Sequence, residues 1–357
     1  MKKESRIYIA GHKGLVGSAI VENLKAKGFS KLIYRTHSEL DLTNQEEVKN
    51  FFQIEKPEYV ILAAAKVGGI VANNRYRADF IYENLMIQNN IIHQSYISGV
   101  EKLLFLGSTC VYPKNADQPI VEESLLTSEL EYTNEPYAIA KIAGIKICES
   151  YNLQYGTNFF SVMPTNLYGP NDNFDLEKSH VMPALIRKMH LAKCLHQNDW
   201  NSIKSDLDKN PIEGIKDNSN KERITDVLSK YGIKKDVIEI WGSGKPMREF
   251  LWSEDMADAC VFLLENKNFK DTFDAENTEI RNTHINIGTG VDVSIKDLAN
   301  MIKKSVGYKG GFIFNTSKPD GTIRKLTDVS KLISLGWTHT TPLEKGVEKM
   351  YACYLSE

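Results

Sequence analysis

The stretch Arg6-Ile7-Tyr8-Ile9-Ala10-Gly11-His12-Lys13-Gly14-Leu15-Val16-Gly17 decides the fold. Its first five residues form a short apolar, β-branched run, which predicts a strand. Three glycines spaced three apart interrupt it, and helical periodicity follows from Leu15 to Lys27. Gly11 permits a tight turn, Gly14 lets backbone approach a pyrophosphate, and Gly17 lets helix and strand pack closely. The helix start around His12, Lys13, Leu15 and Val16 supplies N–H donors and positive potential to phosphates. Strand, glycines and helix in this order predict a dinucleotide-binding turn.

Working outward, further strands are expected at Lys31–Tyr34, Tyr59–Ala63, Lys102–Gly107 and Asn158–Met163. Helical patterns lie between them at Gln45–Glu55, Asp79–Ser98 and Tyr137–Tyr155. This alternation predicts an α/β fold, a Rossmann-type doubly wound parallel sheet. The pattern loosens from about Val181, with a strand-turn at Ile238–Arg248, helices at Ser253–Glu265 and Ile295–Val306, and a strand at His284–Ile287. The expected division is a cofactor domain over 1–180 with the catalytic residues, then a smaller C-terminal α/β substrate domain over 181–357. The chain is expected to cross back to the first domain. Residues 195–234 stand apart as a polar insertion with one amphipathic stretch, Arg223–Tyr231. They read either as a solvated surface segment or as a lid or partner surface.

The chain has 357 residues, of which 42% are hydrophobic and 25% charged, an ordinary globular balance. A formal charge of −2 gives no reason to expect nucleic acid or an anionic membrane as partner. No apolar run approaches the roughly 18 residues of a membrane span, and Ile7–Ala10 is too short for a signal-peptide core. Five cysteines without C-x-x-C spacing argue against a disulfide framework or a zinc site. A cytoplasmic location is expected, and no metal.

The residues after the second strand discriminate between cofactors, because an acidic residue there accepts from a ribose 2′-hydroxyl and basic ones pair with a 2′-phosphate. Tyr34-Arg35-Thr36-His37, with Lys13 in the first turn, favours NADP(H) through Arg35 and His37. Asp41 and Leu42 could meet the adenine edge, and Ala64 ends a strand with a side chain small enough for backbone to approach the cofactor.

Tyr137 and Lys141 stand four apart, on one helical face. A nearby ammonium favours phenolate and lowers a tyrosine from its reference of about 10, which makes an acid/base usable near neutrality. Ser108, after the fourth strand, would hydrogen-bond a substrate carbonyl beside Tyr137. Ser108, Tyr137 and Lys141 behind the glycine turn predict a reductase of the short-chain type. Cys110 and His180 suggest more: a ketone at C-4 of a sugar acidifies the protons at C-3 and C-5. A thiol base and an imidazole acid on opposite faces would invert such centres through an enolate.

Several long strings resemble the GDP-L-fucose synthase family, the 3,5-epimerase/4-reductases of GDP-4-keto-6-deoxy-sugars within the extended short-chain dehydrogenase/reductases. They include Gly107-Ser108-Thr109-Cys110-Val111-Tyr112-Pro113-Lys114, Ala63-Ala64-Ala65-Lys66-Val67-Gly68-Gly69-Ile70 and Asn134-Glu135-Pro136-Tyr137. Met163–Pro170, Trp241–Gly244, Met247–Phe250 and Ser317–Gly321 complete the set. The resemblance implies that Ser108, Tyr137 and Lys141 serve reduction, with Cys110 as epimerisation base and His180 as acid. It also implies cofactor contacts at Leu106, Gly107, Lys141, Pro164, Asn166, Leu167 and His180. Contacts to the GDP-sugar fall on Asn166, Val181, Lys188, Trp241, Arg248 and Lys318. Homodimerisation through Asp79–Ser98 and Tyr137–Tyr155 is implied as well.

Three departures bear on this. Lys13 and His37 replace family arginines, which softens the NADP preference; Lys188 replaces another, keeping charge but losing the bidentate fork. The 195–234 insertion makes a changed sugar plausible. The alternative is therefore a C-4 reductase of a GDP-4-keto-6-deoxy-heptose with weak or absent epimerase activity. A 4,6-dehydratase reading lacks its carboxylate, because Cys110-Val111 stands there. A non-catalytic NADP sensor would not need Ser108, Tyr137 and Lys141.

Overall fold

Residue parity along the first strand sorts its side chains onto two faces, as the two-residue period of a strand requires. Ile7 and Ile9 enter one buried cluster and Tyr8 and Ala10 the other. The same split recurs at Ile61 against Val60 and Leu62, at Leu104 and Leu106 against Leu103 and Phe105, and at Phe160 and Val162 against Phe159 and Met163. A sheet apolar on both faces needs helices on both, and parallel neighbours need crossovers, which the same helices supply.

The computed structural model describes residues 1–215, 220–274, 276, 278–318 and 320–356. Two compact units form: Met1–Leu167 with Glu249–Val291 and Leu326–Thr341, and Tyr168–Arg248 with Asp292–Lys325 and Pro342–Glu357. Four residues of the 195–234 segment, 216–219, and Pro319 of the Ser317–Gly321 string lie outside the described residues.

In the first unit the order is β1 (Ile7–Ala10), α1 (Leu15–Ala26), β2 (Leu32–Ile33), α2 (Gln45–Glu55), β3 (Tyr59–Leu62), α3 (Ile70–Arg75), α4 (Arg77–Ile97), β4 (Lys102–Leu106), α5 (Glu135–Tyr155) and β5 (Phe159–Pro164). The sheet runs β2-β1-β3-β4-β5, with the strand Ile285–Ile287 outermost, and every pairing is parallel. Helix α1 and the helix Ser253–Asn266 supply residues to one cluster. Helices α2, α4 and α5 supply the other. Strand order reverses at β1, which has β2 on one side and β3 on the other. In open α/β sheets ligands bind at such a switch point, outside the carboxyl ends of the strands.

In the second unit, α6 (Val181–Gln197) begins at His180 and leads into α7 (Trp200–Lys209) and α8 (Lys221–Lys230). Asp199 caps α7 through the amide of Ser202, and Asn220 caps α8 through that of Arg223. Each helix buries an i,i+4 pair, Ile203 with Leu207 and Ile224 with Leu228, all 0% exposed. The two helices of the 195–234 region are therefore packed parts of this unit. Sequence periodicity found the second helix and missed the first, whose apolar stripe is only two residues deep. Beyond α8, the strand Val237–Trp241 pairs in parallel with Gly311–Asn315, which sets Trp241 opposite Asn315.

Candidate active site

The glycine turn closes at the switch point. Gly11 adopts φ +87, and a Cβ there would lie 2.7 Å from the backbone nitrogen of Ala64. A Cβ on Gly17 would meet the carbonyl oxygen of Gly11 at 2.1 Å. Gly14 differs: its backbone is extended, and an added Cβ would touch only Gly11 O at 3.5 Å. No protein atom demands glycine there, so the missing side chain leaves room for something outside the chain. Gly14 also caps α1 without any side-chain hydrogen bond, leaving its first N–H groups to a ligand. This cradle fits a dinucleotide pyrophosphate.

Beside it, His12 stacks on Tyr34 with ring centroids 4.6 Å apart. Partial burial, then the charge of Lys13, hold the His12 imidazolium below its ordinary pKa. Lys13 and His37 are exposed. Arg35 donates to the carbonyl of Tyr34 at 2.9 Å and pairs with Glu55. Reading only as far as His37 passes over Glu39, which folds back so that Oε2 accepts from Thr36 N and Oγ1, both at 2.7 Å. That backbone bond, more than the charges of Arg35 and Lys13, depresses the Glu39 carboxyl. Asp41 accepts from Thr43 N and Oγ1, and the Leu42 carbonyl takes a bond from Asn90.

At the end of β4, a Cβ on Gly107 would collide with Met163. Ser108 then caps a short 3-10 turn over Thr109–Val111 by accepting from Cys110 N at 3.4 Å. Helix α5 carries Tyr137 in its first turn and Lys141 one turn later. Lys141 is 3% exposed and donates from Nζ to the Leu106 carbonyl at 2.7 Å. Its Nζ lies 4.7 Å from the Phe105 ring centre and 5.8 Å from that of Tyr137. The Phe80 and Tyr137 rings meet in a T-shaped arrangement with centroids 6.5 Å apart.

Burial lowers Lys141 to about 8, and the Cys110 thiolate opposes that shift. Tyr137 is pushed up, by burial first and then by Cys110. This differs from the sequence expectation of a phenol lowered by its lysine. The reason is geometric: the ammonium is bonded to a carbonyl rather than to the phenol, so desolvation dominates. Cys110, Tyr137 and Lys141 thus form one electrostatically coupled group, with Ser108 at the head of the turn carrying the thiol.

Asn166, two residues past the end of β5 at Pro164 and next to Leu167, donates from Nδ2 to the Glu249 carbonyl at 2.8 Å. Glu249 itself is 0% exposed, and its carboxylate accepts from the amides of Thr289, Gly290 and Thr327 and from the Thr327 hydroxyl. Nothing in the local sequence assigns Glu249 this task. Its signal was an acid inside a short apolar run. Asn84 escaped notice too; it holds the loop after β3 by bonding both the amide and the carbonyl of Lys66.

In the second unit, His180 is the N-cap of α6 and Val181 its first residue. His180 is exposed as a whole residue, yet desolvation of the ring holds its pKa below the ordinary value. Two turns on, Lys188 donates from Nζ to the Glu239 carbonyl at 3.2 Å, and burial lowers it. Trp241 is 65% exposed, with Lys318 Nζ 5.1 Å from its ring centre. Arg248 donates to the carbonyls of Met247 and Thr322 at 2.7 and 2.6 Å, and burial lowers it against the pull of Asp320. A partly desolvated cation gains more than an exposed one from a bound anion. Lys188 and Arg248 each suit a phosphate, and the exposed Trp241 ring suits a flat partner.

The model of the NAD dependent epimerase/dehydratase family matches residues 7–205 and 212–288. A GDP-L-fucose synthase of Sinorhizobium fredii is 51% identical over 98% of this chain and 96% of its own. A solved GDP-6-OMe-4-keto-L-xylo-heptose reductase of Campylobacter jejuni is 50% identical, with TM-score 0.92, covering 100% of this chain and 99% of the other. A GDP-D-glycero-L-gluco-heptose synthase of the same organism, solved in the presence of NADPH, is 48% identical, with TM-score 0.89 and coverage of 100% and 99%.

Proposed function

Since the chain belongs to the NAD-dependent epimerase/dehydratase family, in its GDP-L-fucose synthase group, we propose that it is an NADPH-dependent 3,5-epimerase/4-reductase of a GDP-4-keto-6-deoxy-sugar. The observation that carries this reading is the coupled group of Cys110, Tyr137 and Lys141 behind Ser108. A plain reductase needs the phenol, the lysine and the serine. The thiol coupled to them is what an epimerase adds.

Residues 11–17, with Lys13, Arg35 and His37 for the 2′-phosphate and Lys141, would hold NADPH, which would supply the hydride for C-4. The chain's own groups do the rest. Cys110 thiolate takes the proton from a carbon alpha to the C-4 ketone, and the C–H electrons pass into the carbonyl as an enolate. The hydroxyls of Ser108 and Tyr137 donate to that oxygen, where donors placed for a developing charge act most strongly. His180 returns a proton to the opposite face, which inverts the centre. In the reduction, Tyr137 gives its proton to the C-4 oxygen. Lys141 favours the phenolate left behind. Lys188 and Arg248 would hold the diphosphate, Trp241 would stack on the sugar nucleotide, and Asn166, Val181 and Lys318 would contact it.

A second reading, C-4 reduction of a GDP-4-keto-6-deoxy-heptose with little epimerisation, is favoured by the two Campylobacter relatives. One experiment separates the two. Six- and seven-carbon GDP-4-keto-sugars are incubated in deuterated water without cofactor, then reduced with NADPH or NADH. Deuterium at C-3 or C-5 followed by NADPH oxidation supports the epimerase/reductase. Reduction without deuterium supports the second reading, and no turnover of any keto-sugar overturns both.

We further read the protein as a cytoplasmic homodimer built through α4 and α5. Among the described residues no helix is long and apolar enough to cross a membrane. Helices α4 and α5 already join through His93 with Tyr151 and the stacked Tyr96 and Tyr155, while Tyr82, Ile97, Leu153 and Tyr155 stay exposed. Light scattering at micromolar concentration would test the pairing.

A further inference from the structure

The 195–234 region has no task in the reaction as described, yet its bonds reach the segment that delivers His180. Arg187 on α6 is 1% exposed and every bond it makes has a direction. Its Nε and Nη2 meet the Asp206 carboxylate of α7 at 3.1 and 2.8 Å, and Nη2 also donates to the Asn210 carbonyl. On its other side, Nη1 donates to the Phe174 carbonyl at 3.1 Å. Asp206 takes a further bond from Tyr354 OH at 2.5 Å. A buried guanidinium, with its donors fixed in a planar fork, joins α7 rigidly to the 170–180 loop.

A second tie lies further along the region, at Tyr231. Tyr231, at the C-terminus of α8, donates from its phenol to Glu177 Oε1 at 2.7 Å. Glu177 belongs to a turn wound on Asp175, whose Oδ1 accepts from the amides of Glu177 and Lys178 and whose carbonyl accepts from Ser179. The next residue is His180. The loop is therefore gripped at Phe174 by Arg187, which Asp206 of α7 holds, and at Glu177 directly by Tyr231, one grip deep and one at the surface.

We propose that the 195–234 region positions His180: Asp206, through Arg187, and Tyr231 hold the 170–180 loop so that the imidazole meets the substrate carbon it protonates. This rests on the role given to His180 above and makes Asp206 and Tyr231 positioning residues that touch no substrate. Misplacement by about 1 Å costs roughly 100-fold in a step that needs alignment, so loss of one surface tie should cost less and fall on that step alone.

The test uses Tyr231→Phe, which removes one hydroxyl, and Asp206→Asn, which keeps volume and removes the charge opposite Arg187. Two readouts are taken on the full chain: deuterium incorporation into the keto-sugar without NADPH, and NADPH oxidation with ready-epimerised substrate. Amide exchange of Glu177, Lys178 and Ser179 is a third, independent of turnover. Expected for Tyr231→Phe are exchange roughly 10-fold faster, incorporation about 10-fold slower, and reduction unchanged; Asp206→Asn should act in the same direction. Equal loss of incorporation and reduction overturns the proposal, as does unaltered exchange at 177–179. His180→Gln is the control for the reading beneath it. Full incorporation in that variant sinks the acid role of His180 and with it this proposal, whereas abolished incorporation together with an unaffected Tyr231→Phe sinks the positioning alone.

Discussion

Lys141 Nζ donates to the carbonyl oxygen of Leu106 at 2.7 Å, tying the second turn of α5 to the last residue of β4. This bond fixes where the ammonium sits relative to the strand end that bears Gly107 and Ser108. Replacing Lys141 by Met should leave the Leu106 carbonyl without its buried donor and Tyr137 without its cation. General acid–base assistance is worth about 10²–10⁴-fold. NADPH oxidation by Lys141→Met should fall within that range, measured at saturating keto-sugar.

Burial that brings Lys141 to about 8 places its titration inside the accessible pH range. The group is charged below that value and loses its proton as pH rises through it. NADPH affinity should weaken from pH 7 to 9.5, with a midpoint near 8, and the limb should vanish in Lys141→Met. Fluorescence titration of NADPH at fixed ionic strength measures it. On stability the sign is opposite: between about 8 and the ordinary lysine value the unfolded chain binds the extra proton, so Lys141 adds stability as pH rises.

Gly14 and Gly17 separate a ligand's demand from the fold's. Gly14→Ala is compatible with its extended backbone and meets nothing closer than 3.5 Å. Its unfolding midpoint should hold within about 0.5 kcal/mol while NADPH binding drops. Gly17→Ala drives a Cβ to 2.1 Å from Gly11 O and should destabilise the protein by about 1–3 kcal/mol. Urea unfolding beside cofactor titration distinguishes the two.

Cys110→Ser keeps the volume near Tyr137 and Lys141 and exchanges a thiol for a hydroxyl that stays protonated at neutral pH. Deuterium incorporation into the keto-sugar should disappear, with reduction of a ready-epimerised substrate partly retained. Loss of both in equal measure would refute the division of labour.

Glu249→Gln turns one acceptor oxygen into a donor facing amide hydrogens. With Thr289, Gly290 and Thr327 all donating to this carboxylate, no rotamer satisfies every partner. The expected loss is about 2–3 kcal/mol, visible as an earlier thermal transition.

Several parts of the site were legible in the residues because they are local. Spaced glycines after an apolar run carry their own meaning, and so does a tyrosine four residues before a lysine on a helix. Strand parity at Ile7–Ala10 and Leu103–Leu106 likewise follows from composition, because a residue's face is set by its position in the strand. Glu39 and Glu249 were not legible. Their partners, Thr36 for one and Thr289, Gly290 and Thr327 for the other, depend on how a loop turns back or on segments 40 to 78 residues away.

The sequence by itself determined the class of fold, the glycine turn and the spacing of the candidate groups Tyr137 and Lys141, since each rests on short-range periodicity or spacing. Only the tertiary structure decided the electrostatics of those groups. Burial around Tyr137 and Lys141 opposes the ionisation that their spacing suggests, because desolvation depends on every atom packed nearby and not on the interval between two residues. It likewise decided that the 195–234 region is built into the second unit, because Arg187 finds Asp206 only once α6 and α7 have packed.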